Sequence, residues 1–515
     1  MTKKIGLILS ILLLLKAAAI TWLIISGYLG LGPDEAQYWT WSQKLDWGYY
    51  SKPPGIAWQI WLGTLLFGNS ELGVRIGAVA IGTLLPLAVY ALAAACRLKP
   101  WTCFMAAIIF AFSPLGMASS LLAITDGGIV LFWALATAAF CKALQEQKLP
   151  SYYLIGTLIL LGALYKWPIY LFWTFVIGWV TIHRQYFSRD LIGGIALSLL
   201  GLLPSLIWNI QNDWPTFKHV FSTLYNPKSI ETGTTELMRG NLLEFLGAQA
   251  VLLSPILFIL LIIAFWKMIK DWKNLSHSLQ FCGGTSLLLL GSFAAISILK
   301  KMQGNWCDFA YPTAIVLLSW CVWEKSTKLI RWAYAGIALS IILLTFLLSI
   351  PFLQSESISI GRKIPFKSNP FKHNLGWHRL DKALIAAGYD LHDNFLFADR
   401  YQNCSILSFY GPAQTLAYFF NLHGIRKNQF SYWNGMEREQ LGRTGFFVTV
   451  ENNPPIDQAK KIENEYQNLL SPYFSKVEFI GISPLFFSNG VISKVAYIFK
   501  CEDYNGKQPA ETTLY

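Results

Sequence analysis

Asp34 and Glu35 stand side by side in GPDEAQYWTW, just after a long apolar run that ends near residue 29. Proline near the first helical position and acids in the first turn read as a helix start. On such a helix Asp34, Tyr38 and Trp41 share one face at i, i+4 and i+7. The pair either stabilises the end of an interfacial helix or acts on a ligand. Other polar groups punctuate apolar runs in the same way. Asp126 sits in AITDGGIVLFW, Lys166 alone in ALYKWPIYLF, Asn209, Gln211 and Asp213 in IWNIQNDWP, and Lys300, Lys301 and Asn305 in LKKMQGNWCDFAYP. Ionisable groups at membrane depth are costly and mark substrate paths or catalytic sites by default. The competing readings are a helix cap for Asp126 and a snorkelling side chain for Lys166.

The elements that must carry these residues are apolar helices. The chain has 515 residues, 54% hydrophobic and only 14% charged, with a mean hydropathy of +0.42. Soluble domains carry about 25% charged residues, so the composition excludes an ordinary soluble enzyme and a disordered chain. The net charge of +12 (41 basic minus 29 acidic residues) is spread between apolar runs, which is the pattern of a polytopic protein and not of a nucleic-acid binder. An N-terminal run from residue 5 to 29 is too long for a cleaved signal and reads as a retained helix, with Lys16 snorkelling or packed against a neighbour. Ten further stretches centre near residues 84, 110, 134, 158, 175, 199, 256, 288, 315 and 342, giving about eleven spans. Alternate loops carry at least two cations each, so the N-terminus reads as inside and the C-terminus as outside.

Polarity changes once, near Pro351, and the expected division is a membrane domain over 1–352, with a long first outer loop at 31–59, and an extracytoplasmic α/β domain over 353–515. Strand-like pieces at 394–398, 445–450, 476–480 and 491–499 alternate there with helical ones at 376–387 and 456–470. The eight cysteines show no CxxC spacing and the seven histidines no HExxH. Only Cys404 and Cys501 are candidates for a disulfide, should the tail face an oxidising compartment.

The elements GPDEAQYW, LDWGYYSKPPG, the Thr-Asp pair opening the fourth span, LLPSLIWNIQNDWPTF, FLGAQAVLLSPILF and NW…YP resemble the dolichyl-phosphate-mannose/aminoarabinose-type membrane glycosyltransferases, which have the GT-C fold. The likeness is to their bacterial branch. It runs from about residue 28 to 320 and continues more weakly into the tail. It implies sugar transfer from a polyprenyl-phosphate donor to an envelope acceptor (lipid A or lipopolysaccharide, a glycan or a protein) on the outer face of the bacterial inner membrane. Asp34 then matches the first-loop catalytic carboxylate, with Glu35 beside it, and Asp126 the second-loop acid. Lys52 and Lys166 match cations near the donor phosphate, and Asn209, Gln211 and Asn305 fall in motifs expected at the substrate. Some relatives have a metal-binding Glu before the Lys-Pro-Pro. Ser51 stands there in this chain, with His219 only a weak further ligand, so no cofactor is certain and a divalent metal stays open.

A lipid monophosphate is already a stable anion and leaves without a general acid. It needs fixed cations, and the acceptor hydroxyl needs one base. A single displacement of this kind inverts the anomeric centre. The rival from another class is a transporter or flippase for a lipid-linked sugar. The absence of paired halves with broken helices counts against it, as does the long acid-bearing loop.

Overall fold

The computed structural model describes residues 2–225, 240–354, 365–454 and 459–515. The helical part comprises α1 (Thr2–Ile25), α2 (Pro33–Gln43), α3 (Gly55–Phe67), α4 (Glu71–Ala95), α5 (Pro100–Ala111), α6 (Pro114–Leu121), α7 (Thr125–Glu146), α8 (Tyr152–Ala163), α9 (Leu171–Ile182), α10 (Arg189–Leu199), α11 (Leu203–Gln211), α12 (Pro215–Tyr225), α13 (Leu242–Leu253), α14 (Pro255–Lys270), α15 (His277–Leu299), α16 (Tyr311–Trp320) and α17 (Ile330–Leu353). All eleven apolar stretches fall on helices, though not all on long ones. Among the described residues six helices are long and apolar enough to cross a membrane, and two bent pairs raise the number to at most eight. The stretches near 158, 175 and 315 form the short helices α8, α9 and α16. The last five residues of the expected first loop, 55–59, already belong to a helix, α3.

The bends have local causes. α5 and α6 meet at 63° and α13 and α14 at 103°. Each break falls at a Ser-Pro, where proline lacks the N–H that would continue the ladder. The serine caps the new helix instead: Ser113 Oγ accepts from Gly116 N at 3.1 Å, and Ser254 Oγ from Leu257 N at 3.4 Å. α16 lies at the centre, with every residue buried. On the rim, large apolar side chains such as Trp22 at 70% and Leu14 at 64% exposure present a lipid-facing surface. The chain is a multi-pass membrane protein. Lys16 is the packed lysine of the two readings: it is 8% exposed, and its Nζ donates to Ser120 Oγ at 2.9 Å and Gly116 O at 3.3 Å.

After the membrane helices come α18 (Leu380–Ala386), β1 (Asn394–Ala398), α19 (Tyr401–Tyr410), β2 (Tyr418–Phe419), α20 (Met436–Glu439), β3 (Thr444–Asn452), α21 (Ala459–Leu470), β4 (Phe474–Ser488) and β5 (Val491–Tyr504). The sheet runs β2-β1-β3-β5-β4, parallel where β1 meets β2 and β3 and antiparallel elsewhere. The four expected strands are present. The two-residue β2 and α19 lacked a periodic signal. Cys404 and Cys501 are free and buried, and they belong to two separate hydrophobic clusters of the tail, so the candidate disulfide does not form.

One of those clusters joins the tail to the first loop. Leu31, Ala36, Trp39, Trp41 and Tyr49 share it with Trp377, Leu380, Phe409, Tyr410 and Phe430. Trp39 packs edge-on against Phe409 at 5.0 Å, and Trp41 stacks on Tyr49 at 4.6 Å. These aromatics are core, with Trp41 at 0% exposure. Trp47, at 52%, is the exception.

Candidate active site

α2 is aimed by a buried ion pair. Arg75, one turn into α4 and 0% exposed, donates to Leu29 O at 2.7 Å, Gly30 O at 2.8 Å, Glu35 Oε1 at 2.8 Å and Glu35 Oε2 at 2.6 Å. Glu35 also accepts from Gly32 N and Ala123 N, both at 2.9 Å. Each of its oxygens therefore holds two donors, and none is left for substrate. Glu35 positions the helix start, a correction to its pairing with Asp34 as a catalytic acid. Asp34, its neighbour, reaches solvent from within densely packed surroundings.

The turn after α2 is tied down by close backbone approach. Gly55 N donates to Leu164 O at 2.8 Å, and a Cβ at Gly55 would lie 2.6 Å from that oxygen. Only glycine admits this contact, and it brings the Ser51-Lys52-Pro-Pro segment against the segment holding Lys166. A cavity of about 360 Å³ results, lined by Lys52, Asp126, Lys166, Asn305 and Asp308 and by apolar groups including Ile129, Phe293 and Phe309.

Inside it, Asp126 Oδ1 accepts from Lys166 Nζ at 2.6 Å and from Asn305 Nδ2 at 3.2 Å. Lys166 is thus not a snorkelling residue; it is paired across 40 positions of sequence. Asp308, 5% exposed, directs an Oδ1 with no hydrogen-bond partner among the described residues. Sequence reasoning passed over it, although it stands three residues after Asn305 in the same motif.

Three of the other expected residues fall elsewhere. Asn209 is 0% exposed and braces the turn into α12, donating to Ser205 O at 2.8 Å and Thr216 Oγ1 at 3.0 Å and accepting from Thr216 N at 3.0 Å. Its amide is consumed structurally. Gln211 lies on the exposed end of α11, outside the cavity lining. Asp213 pairs with Lys218 at the surface. Residues 226–239, which follow α12, lie outside the described residues.

The charges act on one another. Burial, first, raises the Asp34 pKa above the usual carboxylate range; Lys52 and Arg426 pull it down, while Glu35 and Asp126 push it up. Burial likewise brings Lys52 down to about 8, with Lys166 and Arg426 lowering it and Asp126 and Asp34 raising it. His219 falls to about 4, by burial and then by Arg426 and Lys52, so it is neutral at pH 7. Arg426 comes from the tail, in the loop that docks on the first one: Gln429 Oε1 accepts from Tyr50 N at 2.7 Å. The stretch RKNQFSYW that begins with Arg426 belongs to the weaker likeness in the tail, but nothing local singled out Arg426 as a site residue. For a metal the fit is poor. Ser51 offers a hydroxyl where some relatives place a carboxylate. Among the described residues, the sole group of three His, Cys, Asp or Glu ligand atoms within 4.8 Å is Cys96, Cys141 and Cys282.

Compared with solved structures, the chain superposes on ArnT from Cupriavidus metallidurans in the apo state with a TM-score of 0.61, over 95% of this chain and 97% of that one at 14% identity. The same protein bound to undecaprenyl phosphate gives 0.60 at 13% identity, with the same coverage. This chain has the GT-C fold. Within it, residues 51–208 match the family described as dolichyl-phosphate-mannose-protein mannosyltransferase. A lipid A galacturonosyltransferase of Rhizobium johnstonii is 30% identical over 310 residues, covering 58% of this GT-C chain and 62% of the relative. An undecaprenyl phosphate-alpha-4-amino-4-deoxy-L-arabinose arabinosyl transferase of Erwinia tasmaniensis is 28% identical over 209 residues, covering 37% and 38%. The aligned region thus spans less than two thirds of either relative.

Proposed function

We propose that the chain is an inverting glycosyltransferase that moves a sugar from a polyprenyl-phosphate donor to a lipid A-type acceptor on the outer face of the bacterial inner membrane. The observation that carries this is the gathering of Lys52, Asp126, Lys166 and Asn305 in one cavity, with Asp34 at the start of α2 in the fields of Lys52 and Asp126. The names of the aligned relatives support the donor and acceptor classes.

Asp34 is the general base. It takes the proton of the acceptor hydroxyl as the acceptor oxygen bonds to the anomeric carbon, and the bond from that carbon to the phosphate oxygen breaks. The electron pair leaves with the lipid phosphate, whose charge Lys52 and Lys166 stabilise in a site with apolar walls. Asp126 and Asn305 hold Lys166 ready for the phosphate; Glu35 and Arg75 hold α2. The raised pKa of Asp34 makes it a stronger base than an exposed carboxylate. The apolar part of the cavity leads the polyprenyl chain away from the phosphate, and the tail and its C-terminus lie on the outer, periplasmic side.

The test is mass spectrometry of lipid A from cells lacking the gene and complemented with wild type or Asp34→Asn at equal protein levels. Wild type should add one sugar residue. The Asn variant should lose about 10²–10⁴ in rate and leave lipid A unmodified. Modification by Asp34→Asn at the wild-type level would remove Asp34 as the base, and no added sugar with wild type would reject the acceptor.

A further inference from the structure

Far from this cavity, three thiols meet. Cys96 caps the end of α4, Cys141 lies near the end of α7, and Cys282 lies near the start of α15. Cys282 Sγ is 3.7 Å from Cys96 Sγ and 3.5 Å from Cys141 Sγ, and all three sulfurs lie within 4.8 Å of one another. Their exposures are 3%, 0% and 0%. Metal–thiolate bonds of about 2.3 Å in trigonal or tetrahedral geometry separate the sulfurs by roughly 3.8–4.0 Å. The triangle is therefore close to the dimensions of a three-thiolate site before any ion arrives. Single cysteines serve often as small hydrophobes; three from separate helices converging on one point is a different arrangement.

A cavity and charged groups lie at the same end. A cavity of about 470 Å³ between α4 and α7 is walled by Ala94, Ala95 and Ala138, and Arg97, Lys142 and Glu146 line it, one net positive charge. These two cations directly follow Cys96 and Cys141 in sequence. Binding a divalent ion releases one proton from each of three thiols and leaves one net negative charge, which Arg97 and Lys142 offset. Cys141 is 15 residues beyond Asp126 on α7, or about 22 Å at 1.5 Å per residue, so the ion takes no part in sugar transfer. On the orientation proposed above, this end faces the cytoplasm, where thiols stay reduced.

We infer that Cys96, Cys141 and Cys282 form a structural site for a thiophilic d10 cation of the zinc and cadmium class, which ties α4, α7 and α15 together opposite the catalytic end. Soft thiolate donors select such ions. The experiment titrates the reduced, detergent-solubilised full chain with Cd²⁺. One ion per chain should bind, with an ultraviolet sulfur-to-cadmium charge-transfer band. Cys282→Ala and Cys96→Ala should each weaken binding at least tenfold, and Cys501→Ala should leave it unchanged. X-ray absorption of the wild-type complex, which needs no variant, should count three sulfur neighbours. No band in the wild type, fewer than three sulfurs, or a band that survives both Cys282→Ala and Cys96→Ala would overturn the site.

Discussion

At the residue scale, two adjacent acids with the same sequence context have opposite fates. Glu35 spends both oxygens on Arg75 and two backbone amides, while Asp34 lies in the fields of Lys52 and Arg426. Their titration predicts a pH profile. Asp34 must be ionised to accept a proton, and its pKa is raised, so kcat/KM should fall on the acid side at a pH above the ordinary carboxylate range. Lys52 must be charged to hold phosphate. Its pKa of about 8 places the loss of activity on the alkaline side near that value. The profile of kcat/KM reports the free enzyme, so Lys52→Met should lower the plateau and abolish the limb near pH 8. A limb that stays near pH 8 in Lys52→Met would assign it to another group.

The Glu35–Arg75 pair matters most at the scale of the element, because it fixes where α2 starts. Removing one partner of a buried pair typically costs about 3–5 kcal/mol, since the remaining charge is stranded. Glu35→Gln should therefore lower the thermal unfolding midpoint of the purified protein and reduce transfer together with it. Asp34→Asn should leave that midpoint near wild type. Equal midpoints for wild type and Glu35→Gln would show that the pair does not anchor α2. The bent pairs α5–α6 and α13–α14 teach a related lesson about elements. Hydropathy saw two spans, and only the Ser-Pro steps at 113–114 and 254–255 marked where each would break.

For the whole molecule, the shared cluster of Trp39, Trp41, Phe409 and Phe430 puts the first loop and the tail on one side of the membrane helices. α4 then carries the chain from that side, at Glu71, to the other, at Cys96. Reporter fusions after Leu98 and after Tyr515 should give opposite compartments, cytoplasmic for the first and extracytoplasmic for the second. Both in one compartment would overturn the proposed orientation and with it the periplasmic site.

The sequence by itself determined the membrane class, the position of the apolar helices, most strands of the tail and the helix start bearing Asp34. Each is a local signal: hydropathy over a window, alternation, or a proline with acids in the first turn. It left open whether Asp126 capped a helix and whether Lys166 snorkelled, because the answer lay 40 residues away, in each other. The tertiary structure alone decided that pairing, the burial of Asn209, the core role of Trp39 and Trp41, the entry of Arg426 from the tail and the meeting of Cys96, Cys141 and Cys282. Those facts depend on which distant segments pack together, and a burial cost or a partner's charge has no sequence neighbour to announce it.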